Sequence, residues 1–309
     1  MTAKLSLEVA VFSGRSALMA QSAGANRVEL NAPGSYANGG LTPPVSELTA
    51  IASELEIPVR IMIRPVGKPL SKGGNKSGPA VSLNVSARPD FVYSADEFEL
   101  MKTSIEAFKA TNLMNPVRGD GFVFGILRHA VDSDYDVFTP PPPRSADFND
   151  SGDDDDVYAE LVVDQERCLI LTELAKPYPC VFHRAFDPIA ANPRRVYSAL
   201  ETLIECRFDG LLTSGGPGSH ASHIDNLDRM ITHLKGRMQV IVGGNVRSHN
   251  IPNAVARLGV HDDNAVWFHS ACLASSRTAS SGNKDESPEQ LDTSEVATLV
   301  GCMEVKGRA

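Results

Sequence analysis

The stretch "CVFHRAFD" at residues 180–187 opens with three apolar residues suited to a buried strand, then delivers a histidine, an arginine and, three positions on, an aspartate. Short apolar runs of the same kind recur along the chain: "LSLEVAV" (5–11), "RVELN" (27–31), "VRIMI" (59–63), "GFVFG" (121–125), "GLLTS" (210–214), "QVIVGG" (239–244) and "AVWFHS" (265–270). Segments of helical period lie between and after them, at 15–23, 44–55, 95–111, 164–175, 193–206, 222–234, 250–257 and 293–302. Strands that alternate with helices predict a parallel sheet, because each return to a parallel neighbour needs a crossover. In 309 residues the economical closure is an α/β fold, a (β/α)8 TIM barrel forming one domain over 1–309. An open doubly wound sheet is the alternative, but no G-x-G-x-x-G follows the first strand.

Two insertions and one late stretch interrupt the alternation. Residues 67–90 are rich in Gly, Ser and Lys, and 129–160 hold a polyproline run followed by "DDDD". Neither can bury enough apolar surface to fold alone, so both are expected to be flexible loops, as is 275–290. The four aspartates lack the spaced ligands and glycine of a calcium loop, which favours a solvated acidic segment. "SHASH" sets His220 and His223 three apart, an arrangement expected at the surface.

With 42% hydrophobic and 22% charged residues the composition is that of an ordinary globular chain. A net charge of −9 argues against nucleic acid or an anionic membrane as partner, since both reward clustered Lys and Arg. There is no apolar run of membrane-spanning length and no signal-peptide pattern, so a cytoplasmic location is expected. The five cysteines, odd in number and without a C-x-x-C, fit reduced thiols.

Strand alternation sorts the polar residues. The aliphatic face of each barrel strand should meet the helices, which turns Glu8, Arg27, Glu29, Asn31, Arg60, Arg64, His183 and His269 inward. Several lie at strand C-termini, where barrel enzymes keep their chemistry. Buried charges must be paired, so one reading is an ion-pair network that merely fills the core. A second is an anion site. "LLTSGGPGS" and "IVGGNVRS" each follow a strand and precede a helix, and their glycines let backbone N–H groups approach a ligand. Arg27, Arg64, Arg184, Ser214, Gly215, Gly216, Gly243, Gly244 and Ser270 would then hold a small phosphate- or carboxylate-bearing substrate. His183 would be the general acid or base, oriented by Asp187 or by Glu8 or Glu29. A third reading is a metal centre of His183, His269, Glu8 and Glu29, a donor set suited to zinc, copper(II) or iron.

"LEVAV" (7–11), "AGANRVEL" (23–30), "GGLTP" (39–43), "IPVRIMIRP" (57–65), "GFVFGIL" (121–127), "FHRAFD" (182–187), "LLTSGG" (211–216) and "FHSA" (268–271), in this order, resemble the CutC copper-homeostasis family. The resemblance implies a TIM barrel, a cytosolic setting, a homo-oligomer (dimer or tetramer), and a role in copper binding, trafficking or tolerance. Members of that family often carry Cys after the second strand's Glu-Leu, where this chain has Asn31. Copper is thus the implied cofactor. Its expected ligands here are His183 with Glu8 or Glu29, or the thiols of Cys180 and Cys272 if they reach the mouth. Whether the chain is an enzyme stays open.

Overall fold

The computed structural model describes residues 5–68, 88–131, 160–261, 265–274 and 289–303. Ten strands are found among them: β1 (Ser6–Val11), β2 (Arg27–Leu30), β3 (Val59–Met62), β4 (Gly121–Phe124), β5 (Leu127–His129), β6 (Leu161–Val163), β7 (Cys180–Phe182), β8 (Gly210–Thr213), β9 (Gln239–Val242) and β10 (Val266–Ser270). Eight of these close into a parallel barrel in the order β1-β10-β9-β8-β7-β4-β3-β2. Helices return the chain between barrel strands, among them α1 (Gly14–Ser22), α2 (Val45–Thr49), α3 (Ala95–Ala110), α4 (Gln165–Ala175), α5 (Asp187–Ala190), α6 (Val196–Glu205), α7 (Ile224–Leu234) and α8 (Ile251–Leu258), and α9 (Thr293–Cys302) follows the last strand. The expected (β/α)8 TIM barrel is the fold observed.

Strand periodicity divides the core in two. The outward faces, with residues such as Leu7, Val9, Val28, Leu30, Ile61, Phe122, Phe124, Phe182 and Leu211, pack under the helices in one continuous apolar layer. Inside the barrel a smaller cluster of Met62, Val123, Val181, Leu212 and Ile241, with Trp267 against it, plugs the lumen. The apolar plug fills only part of the interior, and the polar inward residues occupy the rest. Local chemistry fixes the helix starts: Ser94 and Glu97 form a reciprocal capping box on α3, and Asp292 caps α9 through Ser294 N and Glu295 N.

The structure changes several boundaries. The segment 44–55 is helical only over α2, and 193–206 is preceded by the short α5, which begins at Asp187. Most of the two insertions, 69–87 and 132–159 with the aspartate run, and most of the late stretch, 275–288, lie outside the described residues. Their flanks are not loose. Arg88 and Asp90 enter ion pairs with Glu97 and Arg64, and Glu289 accepts the N–H groups of Gly34 and Tyr36, each at 2.6 Å. At the second insertion β5 and β6 form an antiparallel pair that the sequence pattern did not reveal. His220, expected at the surface, is fully buried, with Nδ1 2.8 Å from Gly244 O. No helix among the described residues is long and apolar enough to cross a membrane.

Candidate functional site

The inward charges gather in three groups. The first joins β1, β2 and β10. The parallel register sets Glu8 level with Arg27 on one side and His269 on the other. Arg27 Nε donates to Glu8 Oε2, and His269 Nδ1 lies 2.8 Å from Glu8 Oε1. Arg27 also donates to Gln239 Oε1 at 3.1 Å and stacks over Trp267, 4.1 Å from the ring centroid. Glu29 faces the same space. Its Oε1 accepts from Asn31 Nδ2 at 3.1 Å, while Oε2 is buried with no partner among the described residues. One ligand atom from each of Glu8, Glu29 and His269 lies within 4.8 Å of the others. Asn31 Oδ1 is pressed against Gly40, whose φ of +87° suits glycine and where a Cβ would stand 2.1 Å from that oxygen.

Electrostatics separates these acids. Burial alone pushes Glu8 up, but Arg27 and His269 together overcome it and hold the carboxyl down at about 2. Among the described residues no arginine is hydrogen-bonded to Glu29, and burial, with the Glu8 charge, raises it. Burial opposes charge on His269, yet Glu29 and Glu8 outweigh it and raise the imidazole. Deeper in the barrel Arg60 donates to Gly119 O at 2.5 Å, and burial, with Arg27 nearby, brings its guanidinium down to about 10.

The second group sits just beyond the ends of β3 and β7, which β4 separates in the barrel. Arg64 gives Nη2 to both oxygens of Asp90 at 3.0 Å, and its guanidinium lies 4.6 Å from the Phe91 ring centre. The His183 ring meets Phe91 edge-on at 4.8 Å. Burial and the Arg64 charge bring His183 down to about 3.

The third group is a carboxylate anchor. Both oxygens of Asp187 are engaged, Oδ1 by Thr213 Oγ1 (2.7 Å) and Ser214 N (2.9 Å), Oδ2 by Ser214 Oγ (2.9 Å) and Arg184 Nε (2.7 Å). The amides of Gly215 and Gly243 donate to Thr213 Oγ1 and Thr213 O. Gly216 lies under the His223 ring, and Gly244 O accepts from His220. Ser270 Oγ bridges Val246 O and Arg247.

A family model described as the CutC family matches residues 5–70 and 157–266, more than half of the chain. The chain belongs to the CutC family. A human protein named copper homeostasis protein cutC homolog is 31% identical over 278 residues, covering 90% of this chain and 76% of the relative. A Xanthomonas axonopodis family protein CutC is 30% identical over 263 residues, with 84% and 82% covered. A crystal structure from Streptococcus agalactiae carrying the CutC name superposes with a TM-score of 0.58 at 21% identity, covering 86% of this chain and 98% of that one, a likeness of fold.

In this CutC protein the four proposed metal ligands divide. Glu8, Glu29 and His269 converge, whereas His183 belongs to the second group, beyond β7. Asp187 does not orient His183, because its oxygens are taken by Thr213, Ser214 and Arg184. The expected anion cradle is also altered: the Ser214 and Gly215 amides and the Ser270 hydroxyl already serve protein groups. Cys180 and Cys272 do not reach the mouth. Both pack in the outer apolar layer, where burial raises their thiols, that of Cys272 to about 11. Asp90 and Phe91 were hidden from sequence reasoning because they follow an insertion without periodicity; the Arg-Pro-Asp-Phe step itself was the only local mark.

Proposed function

We propose that this CutC protein works in copper homeostasis by holding divalent copper at Glu8, Glu29 and His269. The observation that carries the reading is the convergence of two carboxylates and one imidazole within 4.8 Å at a buried site. The names of the human and mouse relatives, copper homeostasis protein cutC homolog, support the biological setting. Two oxygens and one imidazole nitrogen suit copper(II), whereas copper(I) prefers thiolate, and among the described residues no thiol joins the cluster. Copper is cargo in this reading. Loading competes with the protein's own contacts: Glu8 is shared with Arg27, and His269 Nδ1 is engaged by Glu8.

A cytosolic setting belongs to the same proposal, supported by five free cysteines that are all buried or half-buried. So does assembly into a homo-oligomer, for which family membership is the support.

Copper(II) titration followed by electron paramagnetic resonance tests the site. The expected result is a single bound copper with one imidazole nitrogen in its coordination. His269→Asn should abolish that nitrogen signature, and Glu29→Gln should weaken binding by at least about 10-fold. His183→Phe should leave both unchanged. If the His269 variant binds copper as tightly as the parent, with the same spectrum, copper is not held here.

A further inference from the structure

His183 and Arg64 are each more than nine-tenths buried, and each ends in a nitrogen with no partner among the described residues: Nε2 of His183 and Nε of Arg64. The state of the imidazole follows from its neighbour. Ala185 N donates to His183 Nδ1 at 3.3 Å, so Nδ1 carries no proton and the ring hydrogen sits on Nε2. Both unpartnered nitrogens are therefore donors. An unpaired buried donor is costly, which makes such a pair a standing invitation to an acceptor.

The surroundings are shaped for this. Gly125 follows β4, which lies between β3 and β7 in the barrel order. A Cβ there would come within 2.6 Å of His183 Nδ1, so the missing side chain lets the ring lie over the backbone. Phe91 adopts φ +67°, an uncommon conformation for a bulky residue. Asp90 holds it there by accepting Phe91 N at 3.0 Å while gripping Arg64 with both oxygens. The turn sets one aromatic ring against both donors, 4.6 Å from the guanidinium and 4.8 Å from the imidazole. Strain of this kind is kept where the surrounding structure uses it.

We propose that His183 and Arg64 form a pocket for an oxyanion oxygen of a small ligand, a carboxylate first of all, separate from the copper site. A cation is disfavoured there by the Arg64 charge and by the hydrogen on Nε2. In the glycine turn the Ser214 and Gly215 N–H groups are already engaged by protein groups. Two unpartnered side-chain donors set against one aromatic ring leave acceptor oxygens as the complementary chemistry. His183 stands opposite Glu8, since β7 is four strands from β1 in either direction around the barrel, and Arg64 follows β3, two strands from β1.

The test uses the full-length 15N-labelled protein, observing the His183 ring N–H by NMR, with lactate as the carboxylate probe and inorganic phosphate as the phosphoryl probe in separate titrations. The expected result is a hydrogen on Nε2 whose resonance moves saturably with lactate. Arg64→Met should weaken that binding by about 10-fold or more, the worth of a charge-assisted hydrogen bond. A response to phosphate alone would keep the pocket and make the acceptor a phosphoryl oxygen. A ring hydrogen on Nδ1, no movement with either anion up to about 10 mM, or equal lactate affinity in a folded Arg64→Met protein would each overturn the proposal. The titrations of the parent protein stand even if the variant does not fold. Copper binding by Glu8, Glu29 and His269 can fail or succeed without changing these outcomes.

Discussion

Glu8→Gln is expected to destabilise the protein by about 3–5 kcal/mol in urea unfolding between about pH 4.5 and 6.5. The carboxylate is almost completely buried and serves two cationic partners at once, Arg27 and His269. Replacing it strands the Arg27 guanidinium, itself only 4% exposed, against Trp267 and Gln239, neither of which carries compensating charge. The pH window follows from the two partners. Glu8 is held at about 2 against an ordinary 4.5, so its contribution is complete above the higher value and is lost as pH falls through the lower one. His269 is raised, so its part is complete below its ordinary 6.5 and is lost as pH rises through the folded value. The stability gap between parent and Glu8→Gln should therefore be widest between those limits and narrow on either side. Adding Arg27→Gln to Glu8→Gln should recover part of the loss, because the stranded charge goes with it. A gap below about 1 kcal/mol, or one that is flat with pH, would show that the pair carries little of the barrel's stability.

The fold was legible because period-two alternation in parallel strands is a strong physical signal. It correctly turned Glu8, Arg27, Glu29, Arg60, Arg64, His183 and His269 away from the helix layer. Alternation also faces Cys180 outward, since it adjoins the inward Val181, and the structure places it there. What alternation cannot give is the partner across a strand gap or around the barrel. Two inward histidines looked equivalent in sequence, yet the register sets His269 beside Glu8 and leaves His183 facing Phe91 and Arg64. Arg64 finds its carboxylate in Asp90, 26 positions away at the far end of an aperiodic insertion, so no local pattern could announce it. Short-range spacing misled at Asp187, as it did at His220. Asp187 lies four positions after His183, a distance that invites a catalytic pairing, but α5 begins at Asp187 and carries its carboxylate to the end of β8.

Asp187→Ala should therefore behave as the loss of an anchor, costing about 3–5 kcal/mol of stability. The truncation leaves Thr213 Oγ1, Ser214 N and Arg184 Nε without this acceptor, while Ser214 Oγ keeps Gly216 O, and Thr213 and Ser214 are fully buried. Asp187→Asn should cost less, about 1–3 kcal/mol, because the remaining carbonyl can still accept from Thr213 Oγ1 and Ser214 N while the new amide faces two former donors. Urea unfolding of both variants measures the difference. The same proteins separate anchor from catalytic partner. With the carboxylate acting on the turn after β8, the His183 ring hydrogen should stay on Nε2 in folded Asp187→Asn, because Ala185 N and not Asp187 sets that tautomer. A hydrogen relocated to Nδ1 in that variant would reinstate a link between the two residues that the geometry does not contain. Retention of the tautomer with a large loss of stability is the outcome expected of a carboxylate that ties the loop after β7 to the end of β8.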